Sequence, residues 1–284
     1  MQIFETRKAL QAHLTPLRHK ALIIGLVPTM GNLHDGHLAL VDAARQCCDF
    51  VLTTIFVNPL QFGPNEDLDK YPRTLADDYE RLNSHHCDGV FVPPVSEMYP
   101  YGLKKQTIVS VPELSRHHCG SSRPGHFDGV CTVVTKLFNL TQPDMAFFGE
   151  KDFQQLQIIR KMTADLCIAV RIKGVPIVRT ESGLAMSSRN TYLDEIQLEK
   201  APLLFQTLKN TAVELEKGNT NFPALELEAE EKLQYAGFIS DYFNISNAMT
   251  LEPATADDRS LVILAAAWLG KTRLIDNIQV SLHQ

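Results

Sequence analysis

The sequence has little that would tie it to a membrane, a nucleic acid or an oxidising compartment. No uninterrupted apolar stretch in its 284 residues approaches the roughly 20 that a membrane-spanning helix needs. The opening stretch MQIFETRKALQ lacks the charged segment and apolar run of a secretory leader, so a soluble, cytoplasmic protein is expected. The six cysteines form no CxxC pair and show no zinc-ligand spacing, which argues against a metal finger or a disulfide scaffold. They read as reduced packing residues, with Cys47 and Cys48 expected on the inner side of a helix. Basic residues are outnumbered, 27 Lys and Arg against 33 Asp and Glu, and the net charge of -6 supplies no positive field for nucleic acid or an anionic membrane. A local basic site for a small anion stays open. Low-complexity tracts and internal repeats are absent. What remains is a chain of ordinary globular composition, long enough for one large and one smaller domain.

The stretch around which the chain is organised is VPTMGNLHDGH, Val27 to His37. It joins an apolar run, Ala21 to Val27, to a segment of helical periodicity, His37 to Cys48, and a second apolar run, Phe50 to Val57, follows at βαβ spacing. The turn therefore belongs at the carboxyl edge of a parallel sheet, where such sheets bind nucleotides. Gly31 and Gly36 permit close backbone approach, and the open N–H groups and positive dipole end of the next helix suit a phosphate. His34 and His37, in the form HxGH, place two imidazoles where both can donate to the oxygens of a departing pyrophosphate. Two histidines in a polar turn are often merely solvated, but the strand before and the helix after favour the functional reading. Nucleotidyltransferases that activate a group with ATP carry the same pattern.

Downstream, the second strand stops at Asn58-Pro59, and Gln61 follows on a long polar loop able to cover a site. A glutamine there offers a donor and an acceptor to a small polar acid without repelling its carboxylate. Thr74 reads as a helix cap with Asp77 as reciprocal partner; Asp77 and Asp78 could touch a magnesium ion, but carboxylates at a helix N-terminus are more often simple caps, so both are left out of the site and no metal ligand is assigned. His85-His86 and His117-His118 read as solvated surface pairs. Arg123 and His126 lie in a turn-rich connection, where they orient substrates or pack an interface. Met145 to Phe148 runs into Gly149-Glu150-Lys151-Asp152, a second strand-to-helix switch: Lys151 brings a mobile cation for phosphate and Asp152 an acceptor for ribose hydroxyls. Gln154 and Gln155 face different sides of the helix after it, so one of them can join Gln61 over a hydroxy acid. A strand over Ile168 to Val178 leads to Ser187, Ser188 and Arg189, two hydroxyls and a guanidinium suited to a triphosphate. The pattern changes near residue 183. Two helices, Leu193 to Lys217 and Phe222 to Ala236, the first kinked or reset by Pro202, precede strands over Asp241 to Ile245, Leu261 to Ala267 and Arg273 to Val280. Residues 1–182 are thus expected to form an α/β parallel-sheet domain and 183–284 a small α+β lid.

Together VPTMGNLHDGH, IFVNPLQF, YPRT, RPGHF, KLFNL, FFGEKDFQQL, IRKM, GLAMSSRN and AAWLGKTRLIDN stand in an order and spacing that resembles the pantoate-beta-alanine ligases, over nearly the whole chain. The resemblance implies a Rossmann-like nucleotidyltransferase fold and a cytoplasmic homodimer. It implies ATP as substrate with Mg²⁺, and a ligation in which pantoate is adenylated before beta-alanine displaces AMP. Carried onto this sequence, it implies that Met30, Gly31, Asn32, Leu33, His34, Asp35, Gly36 and His37 contact ATP, with His37 the proton donor and His34 beside it on the phosphates. Gly149, Glu150, Lys151, Asp152 and Val178 bind the nucleotide, Lys151 with a catalytic part, and Met186, Ser187, Ser188 and Arg189 grip its phosphates. Gln61 and Gln155 hold pantoate. Two rivals stand beside this reading: an HxGH enzyme that transfers AMP to a phosphorylated or nucleotide acceptor, and a nucleotide-binding regulatory protein without turnover. The neutral glutamines fit a small hydroxy acid better than a phosphorylated acceptor.

Overall fold

Apolar runs buried on both faces form strands of an all-parallel sheet in the computed structural model, which describes residues 1–64 and 66–282. Two compact units result. The first comprises Met1–Pro112, Arg123–Glu150 and Gln155–Pro176; the second comprises Glu113–Ser122, Lys151–Gln154 and Ile177–Gln284.

In chain order the first unit holds β1 (Gln2–Phe4), α1 (Arg7–His19), β2 (Ile24–Thr29), α2 (Asp35–Arg45), β3 (Phe50–Ile55), α3 (Leu75–Ser84), β4 (Gly89–Phe91) and α4 (Val95–Met98). The short α5 (Cys119–Ser122) belongs to the second unit. Then come α6 (His126–Thr141), β5 (Met145–Gly149), α7 (Phe153–Asp165) and β6 (Arg171–Val175). The sheet order is β1-β4-β3-β2-β5-β6, with Leu26 opposite both Leu52 of β3 and Ala146 of β5. From β2 the chain winds one way to β3 and β4, and from β5 the other way to β6, so the direction of winding reverses between β2 and β5. The carboxyl ends of that pair carry the HxGH turn and Gly149-Glu150. Leu40, Val41 and Ala44 of α2 pack with Val27 and Val51 of the sheet, as their helical spacing predicts.

The second unit holds α8 (Glu195–Lys200), α9 (Leu203–Glu216), α10 (Phe222–Tyr235) and an antiparallel sheet of β7 (Ile239–Asn247), β8 (Ser260–Leu269) and β9 (Thr272–Ser281). Leu204, Leu208, Leu215, Leu233, Phe243, Ile263 and Leu274 form its core. Pro202 stands at the N-cap of α9 and ends α8.

The parallel α/β fold and the smaller α+β part agree with expectation. Several local readings need correction. The strand expected over Ile168 to Val178 is only Arg171–Val175, because Cys167 turns with φ 52 and Pro176 has no N–H for the ladder. Cys47 is exposed, since α2 stops at Arg45 before it, while Cys48 is buried. His118 is no surface residue: it is buried, with Nε2 on the Leu251 carbonyl at 3.2 Å and Nδ1 beside Asn244 Nδ2 at 3.0 Å. Among the described residues no helix is long and apolar enough to cross a membrane.

Candidate active site

The HxGH turn is built from the end of β2. Thr29 Oγ1 donates to the Thr54 carbonyl at 2.7 Å and accepts from Gly31 N at 3.2 Å. Gly31 (φ 84) and Asn32 (φ 50) then turn the chain through the left-handed region, which glycine and asparagine tolerate best. His34 is the N-cap of α2. Its Nδ1 accepts from Gly36 N at 3.1 Å, and its own N–H reaches His37 Nδ1 at 3.3 Å, a reciprocal cap made from two imidazoles. Their ring centroids lie 4.1 Å apart. Two amides expected to be open to a phosphate are thus occupied by the histidines. Because each Nδ1 is an acceptor, each neutral ring carries its proton on Nε2.

Gln61 sits in a single 3-10 turn, 59–61, beyond β3. Asn58 Nδ2 donates both to Gln61 Oε1 and to the Gly129 carbonyl, each at 3.1 Å, and Tyr99 Oη donates to Asn58 Oδ1 at 2.6 Å. Burial raises the Tyr99 phenol above its ordinary value and keeps it a donor. Gln61 Nε2 lies 3.3 Å from Met30 Sδ, so the glutamine is adjacent to the residue that leads into the HxGH turn. From the other side His126 Nδ1 donates to the Gln61 carbonyl at 2.8 Å, and Arg123 approaches His126 Nε2 at 3.0 Å. Arg123 also forks onto Glu66, 2.7 Å to each oxygen. Burial pushes the Glu66 carboxyl up, but the Arg123 bonds and charge outweigh this and hold it below its ordinary value. Within the first unit Arg123 and His126 brace the Gln61 turn, a part distinct from the two roles left open for them by the sequence.

At the end of β5, the Glu150 carboxylate lies over Gly174, where a Cβ would be 2.9 Å from its Oε1. The next two glutamines separate clearly. Gln154 is buried and spent on structure, donating to the Leu114 and His117 carbonyls and accepting from Cys119 N. Gln155, half-buried on α7, makes no side-chain hydrogen bond among the described residues.

In the second unit Lys151 Nζ lies 4.0 Å from Asp152 Oδ2, and Asn277 Nδ2 donates to the Lys151 carbonyl at 2.9 Å. Val178 and Met186 are joined by a backbone bond of 2.9 Å, and Arg189 N donates to Ser187 Oγ at 3.3 Å. Arg179 anchors this hairpin. It forks onto Asp276 at 2.6 and 2.8 Å, reaches the Gly183 carbonyl at 3.1 Å and lies 3.5 Å over the Phe205 ring. Asn58, Tyr99, Arg179 and Asp276 carry no role in the sequence reading, and Asp78 carries only that of a cap. Asn58 had a visible signal in Asn-Pro at a strand end; the others act through partners far along the chain.

An all-parallel sheet with an HxGH turn at its point of reversal defines a nucleotidyltransferase-like enzyme. The profile of the Pantoate-beta-alanine ligase family matches residues 2–279. A Pantothenate synthetase from Marinobacter nauticus is 55% identical over 281 residues, 99% of this chain and 100% of that one. A Pantothenate synthetase crystal structure from Thermus thermophilus superposes with a TM-score of 0.90 at 43% identity, covering 98% of this chain and 99% of the other. A Pantoate-beta-alanine Ligase from Francisella tularensis, complexed with beta-gamma ATP and beta-alanine, gives 0.81 at 33% identity, covering 98% and 97%. The chain belongs to the pantoate-beta-alanine ligase family and is a ligase of that type.

Proposed function

We propose that this enzyme makes pantothenate in two steps. The pantoate carboxylate attacks the α-phosphorus of ATP, giving pantoyl adenylate and pyrophosphate. The amine of beta-alanine then attacks the acyl carbon, AMP leaves, and an amide forms with loss of a proton. A carboxylate is a poor electrophile, and adenylation supplies its leaving group, so no enzyme nucleophile is needed. The protein aligns the reactants and neutralises phosphate charge.

The observation that carries this reading is the imidazole pair, held by its own cap as two Nε2–H donors at the carboxyl edge of the sheet. In this reading His34 and His37 donate to the phosphates, within an ATP-contact stretch from Met30 to His37. Gly149, Glu150, Lys151, Asp152, Val178, Met186, Ser187, Ser188 and Arg189 are taken as nucleotide-binding residues. Gln61 and Gln155 hold pantoate. Mg²⁺ enters with ATP as part of the substrate. Among the described residues no three His, Cys, Asp or Glu groups converge on a metal position, and Mg²⁺ is commonly carried by phosphate oxygens, water and few carboxylates. The working form is read as a cytoplasmic homodimer, a state that sedimentation would check.

The test is pyrophosphate release from ATP and Mg²⁺ with pantoate alone, then with beta-alanine, following AMP and pantothenate. Pantoate-dependent release with product appearing only after the amine is added is the expected result. ATP consumption indifferent to both substrates would sink the assignment.

A further inference from the structure

We infer that Asp78 is a positioning residue for adenylate formation, holding the turn that presents the two histidines; this rests on the ligase reading above. Asp78 lies in the first turn of α3, where its sequence suggests a helix cap. The structure shows otherwise. Thr74, at the N-cap, makes no side-chain capping bond, and Asp77 is not its reciprocal partner. Asp78 is 1% exposed. A buried carboxylate is costly unless its charge is met by hydrogen bonds. Here Oδ2 accepts from Asn32 N at 3.0 Å, Oδ1 from Leu33 N at 2.8 Å, and Thr74 Oγ1 donates to Oδ1 at 3.3 Å.

The two amides come from a chain that has just passed through left-handed Gly31 and Asn32, a conformation that aims successive N–H groups into one concavity favouring an anion. In this molecule the anion is internal. Gly31 is part of the same fit, since a Cβ there would lie 3.0 Å from Asp78 Oδ2 and 3.0 Å from Ile55 Cγ2. Leu33 is followed directly by His34, whose backbone and ring close the cap with His37. The Asp78 carboxylate is therefore one peptide unit from the imidazole pair and fixes the chain entering it. No neutral side chain reproduces the contact. An asparagine has one carbonyl oxygen, and in either orientation its NH₂ would face a backbone N–H.

The consequence is specific to one half of the reaction. The histidines are read as acting on the phosphates that depart in the first step, whereas the amine displaces AMP in the second. Asp78→Asn is expected to slow pantoate-dependent pyrophosphate release about 10²-fold, the usual scale for a misplacement near 1 Å, with the pantoate KM unchanged. Conversion of supplied pantoyl adenylate by beta-alanine should keep its parental rate. Thr74→Val, which leaves both amide bonds in place, should match the parent in both steps. General loosening of the fold would depress both steps together, and that result, or an unchanged first step, would overturn the proposal. If Asp78→Asn does not fold, Gly31→Ala disturbs the same contact from the opposite side and should show the same split; equal loss in both steps would again overturn it. A parent enzyme without pantoate-dependent release would instead refute the ligase reading itself.

Discussion

Gly129 offers a sharp test of how the Gln61 turn is held. It lies in α6, whose propensity alone predicts that Gly129→Ala stabilises the helix by about 1 kcal/mol. Tertiary packing predicts the opposite. A Cβ at 129 would sit 2.4 Å from the Leu60 carbonyl oxygen, 2.5 Å from its carbon and 2.6 Å from Gln61 N. All three are backbone atoms, so no rotamer change relieves the clash. Ordinary contact begins at 3.4 Å, so the 60–61 turn must retreat by about 1 Å. Overpacking of this kind costs about 1–3 kcal/mol, which outweighs or cancels the helical gain. The retreat also pulls on the Asn58 bond to the Gly129 carbonyl and moves Gln61 from its place beside Met30. On the proposed reading, kcat/KM for pantoate should fall about 10²-fold, while the melting temperature drops by no more than a few degrees. The assay is initial pyrophosphate release against pantoate concentration, with thermal unfolding in parallel. A variant that melts higher than the parent and keeps its kcat/KM would refute the reasoning.

Further outcomes follow from the other residues. His37→Ala and Lys151→Ala should each slow adenylate formation by orders of magnitude in a folded protein; unchanged turnover in either would remove its role. Gln155→Ala should raise the KM for pantoate more than that for ATP, and an effect confined to ATP would count against its placement. His118 should make the second unit sensitive to acid. Burial, aided by neighbouring His117 and opposed by the Leu251 carbonyl, lowers its pKa from 6.5 to about 4. Above pH 6.5 the ring is neutral folded or unfolded; between 6.5 and about 4 the unfolded chain binds a proton that the folded one refuses. Stability attributable to His118 is therefore whole above that window and is lost as pH falls through it, by about 3 kcal/mol at most. Urea unfolding at pH 7 and 4.5 should show this loss, and His118→Gln should flatten it; equal slopes in both proteins would rule it out.

A parallel α/β sheet is written in features that are local in the chain. Apolar runs of strand length, a helical stripe on α2 and a glycine-bearing turn between them are dictated by backbone geometry and side-chain burial over a few neighbours. The same holds for Pro202, which has no N–H to continue a helix, and for the Asn58-Pro59 stop. His34 and His37 were legible as a pair for the same reason, since their spacing at a helix start is a property of the sequence.

Only the tertiary structure decided what each polar group near that motif is bonded to. Asp78 looks like a helix cap until packing brings the turn of residues 31–33 against it. Helical geometry puts Gln154 and Gln155 on different faces without saying what either meets, and the segment 114–119 consumes the first. His118 resembles a solvated histidine until β7 and Leu251 enclose it, and Arg179 is an ordinary strand-end arginine until Asp276 meets it. In each case the partner lies tens of residues away or more. Periodicity carries which face of an element is apolar; burial and hydrogen-bond partners depend on which distant segment arrives there, and that is settled by how the whole chain packs.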